Sequence, residues 1–139
     1  MADLPQTFNF ELVSPDKILV SEPAWQVVIP GEEGYFGVRA GHMSLIAAVK
    51  PGVVEVFKKE GDAPEKIFIA GGFADVTAKH CALLAEQAVP VSDLNAAAIE
   101  QDIANINDEL KLATESSEKT LLHKKLQLAS IKLEAAKAA

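Results

Sequence analysis

The apolar and polar positions follow two different periods along the chain, and the change falls near Pro90. Before it, short apolar segments alternate with glycine and proline. In the segment 7–13, for example, Phe8, Phe10 and Leu12 occupy every second position. A two-residue period places side chains on one face of an extended strand, so this pattern predicts a half-buried β-strand. After Pro90 the apolar residues recur at steps of three and four, which is the period of an amphipathic α-helix.

About nine segments before Pro90 have the character of strands. After the first one they are 17–20, 25–29, 34–38, 44–49, 52–58, 65–70, 73–77 and 81–86. The polar stretch 58–64 between two of them predicts the tip of a hairpin. Many short strands with turn signals about every eight to twelve residues favour a β-sandwich or barrel, because closure hides the edges of a sheet.

The remaining residues, 91–139, predict two helices of about twenty residues that fold back as an antiparallel hairpin. Ser92 is the predicted N-cap of the first helix, and Asp93 lies favourably in the helix dipole. The predicted seam consists of Ile99, Ile103, Ile106, Leu110 and Ala113, then Leu122, Leu126, Ala129, Leu133 and Ala136. The first helix is acidic and the second basic, which favours their pairing. The predicted domains are therefore a sandwich, 1–90, and a hairpin, 91–139.

A hairpin of this length buries little surface along one seam, so we expect it to dock on the sandwich or on a partner.

Composition narrows the class of protein. Of 139 residues, 49% are hydrophobic and 24% charged, which is typical of a globular chain and excludes a disordered one. The net charge is −7 and Arg39 is the one arginine, so nucleic acid is not an expected partner. No apolar run approaches the ~18 residues of a membrane-spanning helix. The start shows neither a basic leader nor an apolar core, so no targeting segment is expected.

The sequence predicts no catalytic group, metal site or cofactor. Adjacent His80 and Cys81 lie on a predicted strand and point to opposite faces, so they cannot easily share a metal. Apolar neighbours predict that Cys81 is a packed, inert thiol, and a lone cysteine fits a reducing compartment. His123 lies in the basic helix without a nearby carboxylate or second histidine.

The stretch 31–42, Gly-Glu-Glu-Gly-Tyr-Phe-Gly-Val-Arg-Ala-Gly-His, is the most unusual in the chain. It is not a phosphate loop, because its glycine spacing differs and two carboxylates would repel an anion. One interpretation is a set of tight turns that need positive φ. The other is a protruding loop that presents Glu33, Tyr35 and His42 to another protein.

These motifs resemble the epsilon subunits of bacterial and chloroplast F-type ATP synthases. The resemblance covers essentially the whole chain and implies a ten-stranded β-sandwich followed by a two-helix hairpin. The matching motifs, in order, are Phe10–Ser14, Gly31-x-x-Gly34-x-x-Gly37, Gly41-His42, Pro51-Gly52 and Gly71-Gly72.

The resemblance implies a non-catalytic rotor subunit in the central stalk of a proton-translocating complex. Such a subunit binds gamma, touches the polar loops of the c-ring and transmits torque, as a peripheral protein without a transmembrane segment. By analogy the c-ring contact consists of Glu32, Glu33, Gly34, Tyr35 and Arg39, and the gamma contact of Ser14 and His42. The expected location is the cytoplasmic face of a bacterial inner membrane or, alternatively, the stromal face of a thylakoid.

Many such subunits also inhibit ATP hydrolysis by extending the hairpin toward the alpha and beta subunits, and some bind ATP at the start of the first helix. The matching stretch here, 94–99, has Asn95 in place of aspartate and Ala98 in place of arginine. Loss of that cation predicts that ATP does not bind. The acidic first helix predicts weak or absent autoinhibition, with the hairpin mainly structural.

From the residues alone another class stays open, a free-standing β-sandwich that binds a ligand or protein and dimerises through its hairpin. A ligand site of this kind would need an aromatic or apolar platform. Trp25 is the one tryptophan, and its position favours a core or partner-covered role.

Overall fold

A computed structural model of the chain describes residues 6–138, which divide after Pro90 into two compact units. The first unit contains ten strands. They are β1 (Phe8–Val13), β2 (Ile18–Ala24), β3 (Gln26–Gly31), β4 (Gly34–Arg39), β5 (Leu45–Val49), β6 (Gly52–Phe57), β7 (Glu65–Ile69), β8 (Gly72–Val76), β9 (His80–Ala85) and β10 (Ala88–Pro90).

The strands form a β-sandwich, as the sequence predicted. Their hydrogen-bonded order is β10-β7-β6-β3-β5-β8-β9-β1-β2, and β4 pairs with β3 outside this path. All pairs are antiparallel except β1 with β9. β3 and β5 share a single residue pair, Gly31 with Val49, so the sheet is narrowest at this junction.

The core of the sandwich lies where the alternating pattern placed it. Phe10 and Leu12 of β1 are fully buried, and Phe8 is 3% exposed, whereas Asn9 between them faces solvent. Other strands contribute Val27, Ile29, Val54, Ile67, Val76 and Leu83. Two strands differ from the prediction: β2 continues to Ala24, and β10 was missed because three residues show no period.

The second unit consists of a 3₁₀ turn, Val91–Asp93, and two helices, α1 (Ala96–Leu112) and α2 (Ser116–Ala138). The prediction that Ser92 caps the first helix is wrong. Asn95 is the N-cap, since its backbone is extended and its side-chain oxygen accepts a hydrogen bond from the Ala98 amide at 3.2 Å. Asparagine caps a helix as well as serine does, so composition alone could not choose between them.

The two helices pack against each other in antiparallel orientation. Lys137 Nζ at the end of α2 lies 3.5 Å from Glu100 Oε1 at the start of α1. Ile99, Ala113 and Leu122 of the predicted seam are buried, and so is Ala135, which the predicted seam did not include. The ion pair is exposed and contributes little, so the apolar residues supply most of the packing energy.

Gly72 provides a test of how closely β8 approaches β9. Its φ is +150°, and a Cβ added there would collide with the Leu84 carbonyl oxygen of β9. We expect Gly72→Ala to lower the free energy of unfolding by at least about 2 kcal/mol, because backbone must move. Urea denaturation of the full chain measures this loss.

Gly61→Ala is the matched control, because Gly61 has a φ of +85° but open space around it. Strain alone there costs about 1 kcal/mol. Equal losses in the two variants would contradict the close approach.

Candidate interaction surfaces

The β3–β4 hairpin ends in a protruding acidic tip formed by Glu32 and Glu33. Both side chains are exposed, and they form a two-residue turn closed by the pair of Gly31 and Gly34. Gly34 has a φ of +134°, so the tight-turn interpretation holds at this position. The protruding-loop interpretation holds as well, because the turn leaves two carboxylates in solvent.

Tyr35 follows the tip and is 57% exposed, yet its ring is held in place. Lys50 Nζ lies 5.9 Å from the ring centroid, and a Cβ added at Gly52 would approach the tyrosine hydroxyl to 2.9 Å. The hydroxyl therefore rests on the bare backbone of Gly52. Residues 31–36 and 45–48 line a neighbouring cleft of about 540 Å³.

Arg39 does not join this group. It lies at the far end of β4, four residues or about 13 Å along the strand from Tyr35. Its guanidinium carbon stands 4.2 Å from the ring centroid of Trp25, and its carbonyl accepts from the His42 amide at 3.1 Å. Of the predicted c-ring residues, the structure brings together Glu32, Glu33, Gly34 and Tyr35. Trp25 is partly buried beneath Arg39 and offers no open platform.

Ser14 and His42, the predicted gamma-contact residues, lie at opposite ends of one sheet. Ser14 lines a groove with Leu84 and Ala85 at the end of β9, and its hydroxyl is 3.4 Å from the Lys17 carbonyl. The His42 ring donates from Nδ1 to the Met43 carbonyl at 2.6 Å. Both residues are exposed or partly exposed, so each is available at its own end.

An apolar row, which the sequence analysis missed, crosses the outer face of the sheet near Ser14. It consists of Ile18, Val13, Leu84, Phe73 and Ala48, each paired in register with the next across β2, β1, β9, β8 and β5. Ile18 is 64% exposed, Phe73 60% and Leu84 54%. Aligned apolar side chains in solvent are typical of an interaction site.

The signal for this row was present in β9, where adjacent Leu83 and Leu84 make both faces apolar. On a strand with one solvent face the outer positions are usually polar, so an apolar residue at an outer position, such as Leu84, stands out in the sequence. Alignment with Phe73 and Val13 depends on the register of three strands, which the sequence does not reveal.

Neither surface carries a reactive group. Cys81 is fully buried, and burial, with a smaller contribution from the charge of Asp75, raises the pKa of its thiol to about 12. The thiolate is therefore scarce at neutral pH, as expected for an inert thiol. Within residues 6–138 no cluster of histidine, cysteine or carboxylate side chains could hold a metal ion. In the same range no helix is long and apolar enough to cross a bilayer.

The start of α1 carries the two positions at which the sequence departs from the ATP motif. Asn95 uses its side-chain oxygen to cap the helix, and Ala98 contributes the capped amide. A neutral cap and a methyl group give this turn no side-chain cation for a phosphate.

Comparisons with known proteins agree with this architecture. The family model described as "ATP synthase, Delta/Epsilon chain, beta-sandwich domain" matches residues 7–91. A protein of Rhodospirillum centenum named ATP synthase epsilon chain is 42% identical over 133 residues, 91% of this chain and 89% of its own. The protein of that name from Parvibaculum lavamentivorans is 44% identical over 101 residues, 73% of this chain and 76% of its own.

Solved structures share the fold at low identity. A chain of the Euglena gracilis mitochondrial ATP synthase matches with a TM-score of 0.83 and 24% identity, covering 98% of this chain and 84% of that one. A chain from the central stalk and c-ring of the Tetrahymena thermophila enzyme matches with a TM-score of 0.68 and 13% identity, covering 94% and 97%. The family model and the curated relatives show that this chain belongs to the ATP synthase epsilon-chain family.

Proposed function

We propose that this chain is a non-catalytic subunit of the central stalk of an F-type ATP synthase, where it links gamma to the c-ring and transmits torque. The observation that carries the proposal is a closely paired sandwich with two separate exposed surfaces, the acidic tip and the apolar row. The names of its close relatives support the same role. A subunit that transmits force needs two contacts and a rigid body between them, and it needs no reactive group.

Backbone hydrogen bonds connect the two surfaces. The Glu32 amide at the tip donates to the Ala48 carbonyl at 3.2 Å, and the Lys50 amide donates to the Pro30 carbonyl at 2.9 Å. Ala48 is the last residue of the apolar row. A lateral force on the tip therefore passes through these two main-chain hydrogen bonds into the sheet that carries the row.

The tip suits the c-ring, and the apolar row suits gamma. Two exposed carboxylates attract the cationic groups of polar loops and steer an encounter, whereas an apolar row gains most from permanent coverage. Ser14 lies in the groove beside the row, and His42 marks the far end of the same sheet. With its tip on the ring, the chain is a peripheral subunit at the cytoplasmic face of a bacterial inner membrane.

A cysteine at Tyr35 tests the orientation of the tip. We expect Tyr35→Cys to form a disulfide with a cysteine in the polar loop of subunit c in the assembled complex, because Tyr35 adjoins the acidic tip. Gel electrophoresis of oxidised membranes measures the cross-link. The buried native Cys81 does not compete.

The matched control is Arg39→Cys, which places an exposed thiol on the same strand but about 13 Å away. It is expected not to cross-link. Equal cross-linking at both positions, or none at Tyr35 in an assembled complex, would contradict the assignment of the tip.

A charge in the apolar row tests the gamma contact. We expect Phe73→Asp to weaken binding to purified gamma about a hundredfold, because a carboxylate would be buried without a partner in place of an aromatic anchor. Isothermal titration calorimetry measures the affinity. Leu121→Asp is the control, since Leu121 is similarly exposed, at 56%, but lies on the hairpin. Full affinity of Phe73→Asp would refute the contact.

Removal of the hairpin tests whether it inhibits. The resemblance implies that an extended hairpin engages acidic loops of the catalytic subunits through basic side chains. α1 carries Glu100, Asp102, Asp108 and Glu109 against Lys111 alone, so its charge is unfavourable for this contact. Truncation after Pro90, where the compact sandwich ends, should leave ATP hydrolysis by the complex within about twofold, or about 0.4 kcal/mol in barrier. A several-fold increase in the hydrolysis rate would show that the hairpin inhibits.

A further inference from the structure

The sandwich has four strands whose second side meets little or no other strand, and they differ in how that side is protected. β2 and β10 end the sheet path, and β4 pairs only with β3 among the described strands. β2 carries Glu22 and Pro23, β10 has only three residues and ends in Pro90, and β4 contains two glycines and Arg39. Charge, proline and short length are the usual means of keeping other strands away from an edge.

β5 has none of these protections. Its sequence, Leu-Ile-Ala-Ala-Val, contains no charge, glycine or proline. One side pairs with β8 over all five residues, and the other meets β3 only through Val49. Leu45 is 39% exposed and Ile46 75% exposed. A short, uncharged and apolar strand with an open edge pairs readily with another extended chain.

The direction of the backbone groups shows which of them are available. The Ala48 carbonyl accepts from the Glu32 amide, so the main-chain groups of Ala48 point away from β8. Antiparallel pairing alternates with a period of two residues, so Ile46 also points its amide and carbonyl away from β8. These groups face the cleft that residues 45–48 share with residues 31–36.

We propose that an extended segment of the gamma subunit adds to the open edge of β5 as a further strand. The inference rests on the proposed function and names the binding mode at the same interface. The apolar row ends on β5 at Ala48, and Ile46 lies on the same face two residues along this strand, so a partner that covers the row reaches its open edge. Main-chain hydrogen bonds to Ile46 then supply the alignment that an apolar surface lacks.

The same surroundings define the sequence of the added strand. Ile46 and Ala48 lie on the outer face, so the added strand carries apolar side chains at the positions opposite them. Glu32 and Glu33 stand at the Val49 end of the edge and disfavour a carboxylate of the added strand there. The added strand is therefore apolar opposite Ile46 and Ala48 and carries no acidic residue beside the tip.

Amide hydrogen exchange of the full chain, alone and bound to purified gamma, tests the proposal. The Ile46 amide is expected to exchange at least about tenfold more slowly in the complex. Amides at the Ala24 end of β2, away from Ile18 and from the added strand, are expected to keep their rates. Complex formation with an unchanged Ile46 amide would overturn the proposal.

A pair of variants separates the backbone from the side chain. Ile46→Pro removes the amide that points away from β8 but breaks no hydrogen bond to β8, so a strand at the edge of a sheet tolerates the proline. Ile46→Ala removes only the side chain. The proline variant is expected to bind gamma at least about tenfold more weakly than the alanine variant, with both folded by circular dichroism. Equal affinities would overturn the proposal; if the proline variant unfolds, the exchange measurement on the native chain decides.

The outcomes distinguish this proposal from the proposed function. If the native chain does not bind gamma at all, the stalk role itself fails. If it binds and Ile46 stays unprotected, only the added strand fails. If the Ile46 amide is protected without gamma, and the protection rises with the concentration of this chain, a second copy of the chain occupies the edge and the proposal of a gamma strand fails. Ile18→Ala, an exposed isoleucine at the far end of the row, controls for loss of apolar area.

Discussion

The sandwich depends on one narrow junction, where β3 meets β5. A single residue pair, Gly31 with Val49, and the two hydrogen bonds that flank it connect the strands around the acidic tip to the strands that carry the apolar row. Gly31 has no side chain at this point, and a Cβ would lie 2.9 Å from the Gly34 carbonyl oxygen. The junction is therefore short, close and made of backbone alone. Both proposed contacts act through it.

The narrowness of this junction also explains the open edge of β5. Because β3 turns away after one shared pair to join β6 and β4, the first residues of β5 have no neighbour on that side. A longer β3–β5 pairing would occupy the main-chain groups of Ile46. The short junction thus leaves an open strand edge beside the tip.

The alternating period of β1 was enough to predict its buried residues, because each strand with one solvent face shows its core directly in the sequence. The apolar row could not be predicted in the same way, since Val13, Leu84 and Phe73 meet only through the register of three strands. The motifs placed Arg39 beside the acidic tip, yet a six-residue strand carries it to the opposite end. An extended strand separates positions that are near in sequence by several ångströms per pair of residues. The cap could not be predicted for another reason: Ser92 and Asn95 are both good N-caps and lie three residues apart.

The start of α1 shows that the two positions that differ from the ATP motif have an ordinary structural role. Asn95 stands where the ATP motif has aspartate. Its side-chain oxygen accepts a hydrogen bond from the Ala98 amide, one of the four amides that a helix start leaves unpaired. An aspartate could cap this amide equally well, so the cap itself does not explain the change. The difference lies in Ala98, because without a cation nearby an extra carboxylate gains nothing. An uncharged cap is then sufficient, and the acidic surface of α1 is left to pair with the lysines of α2.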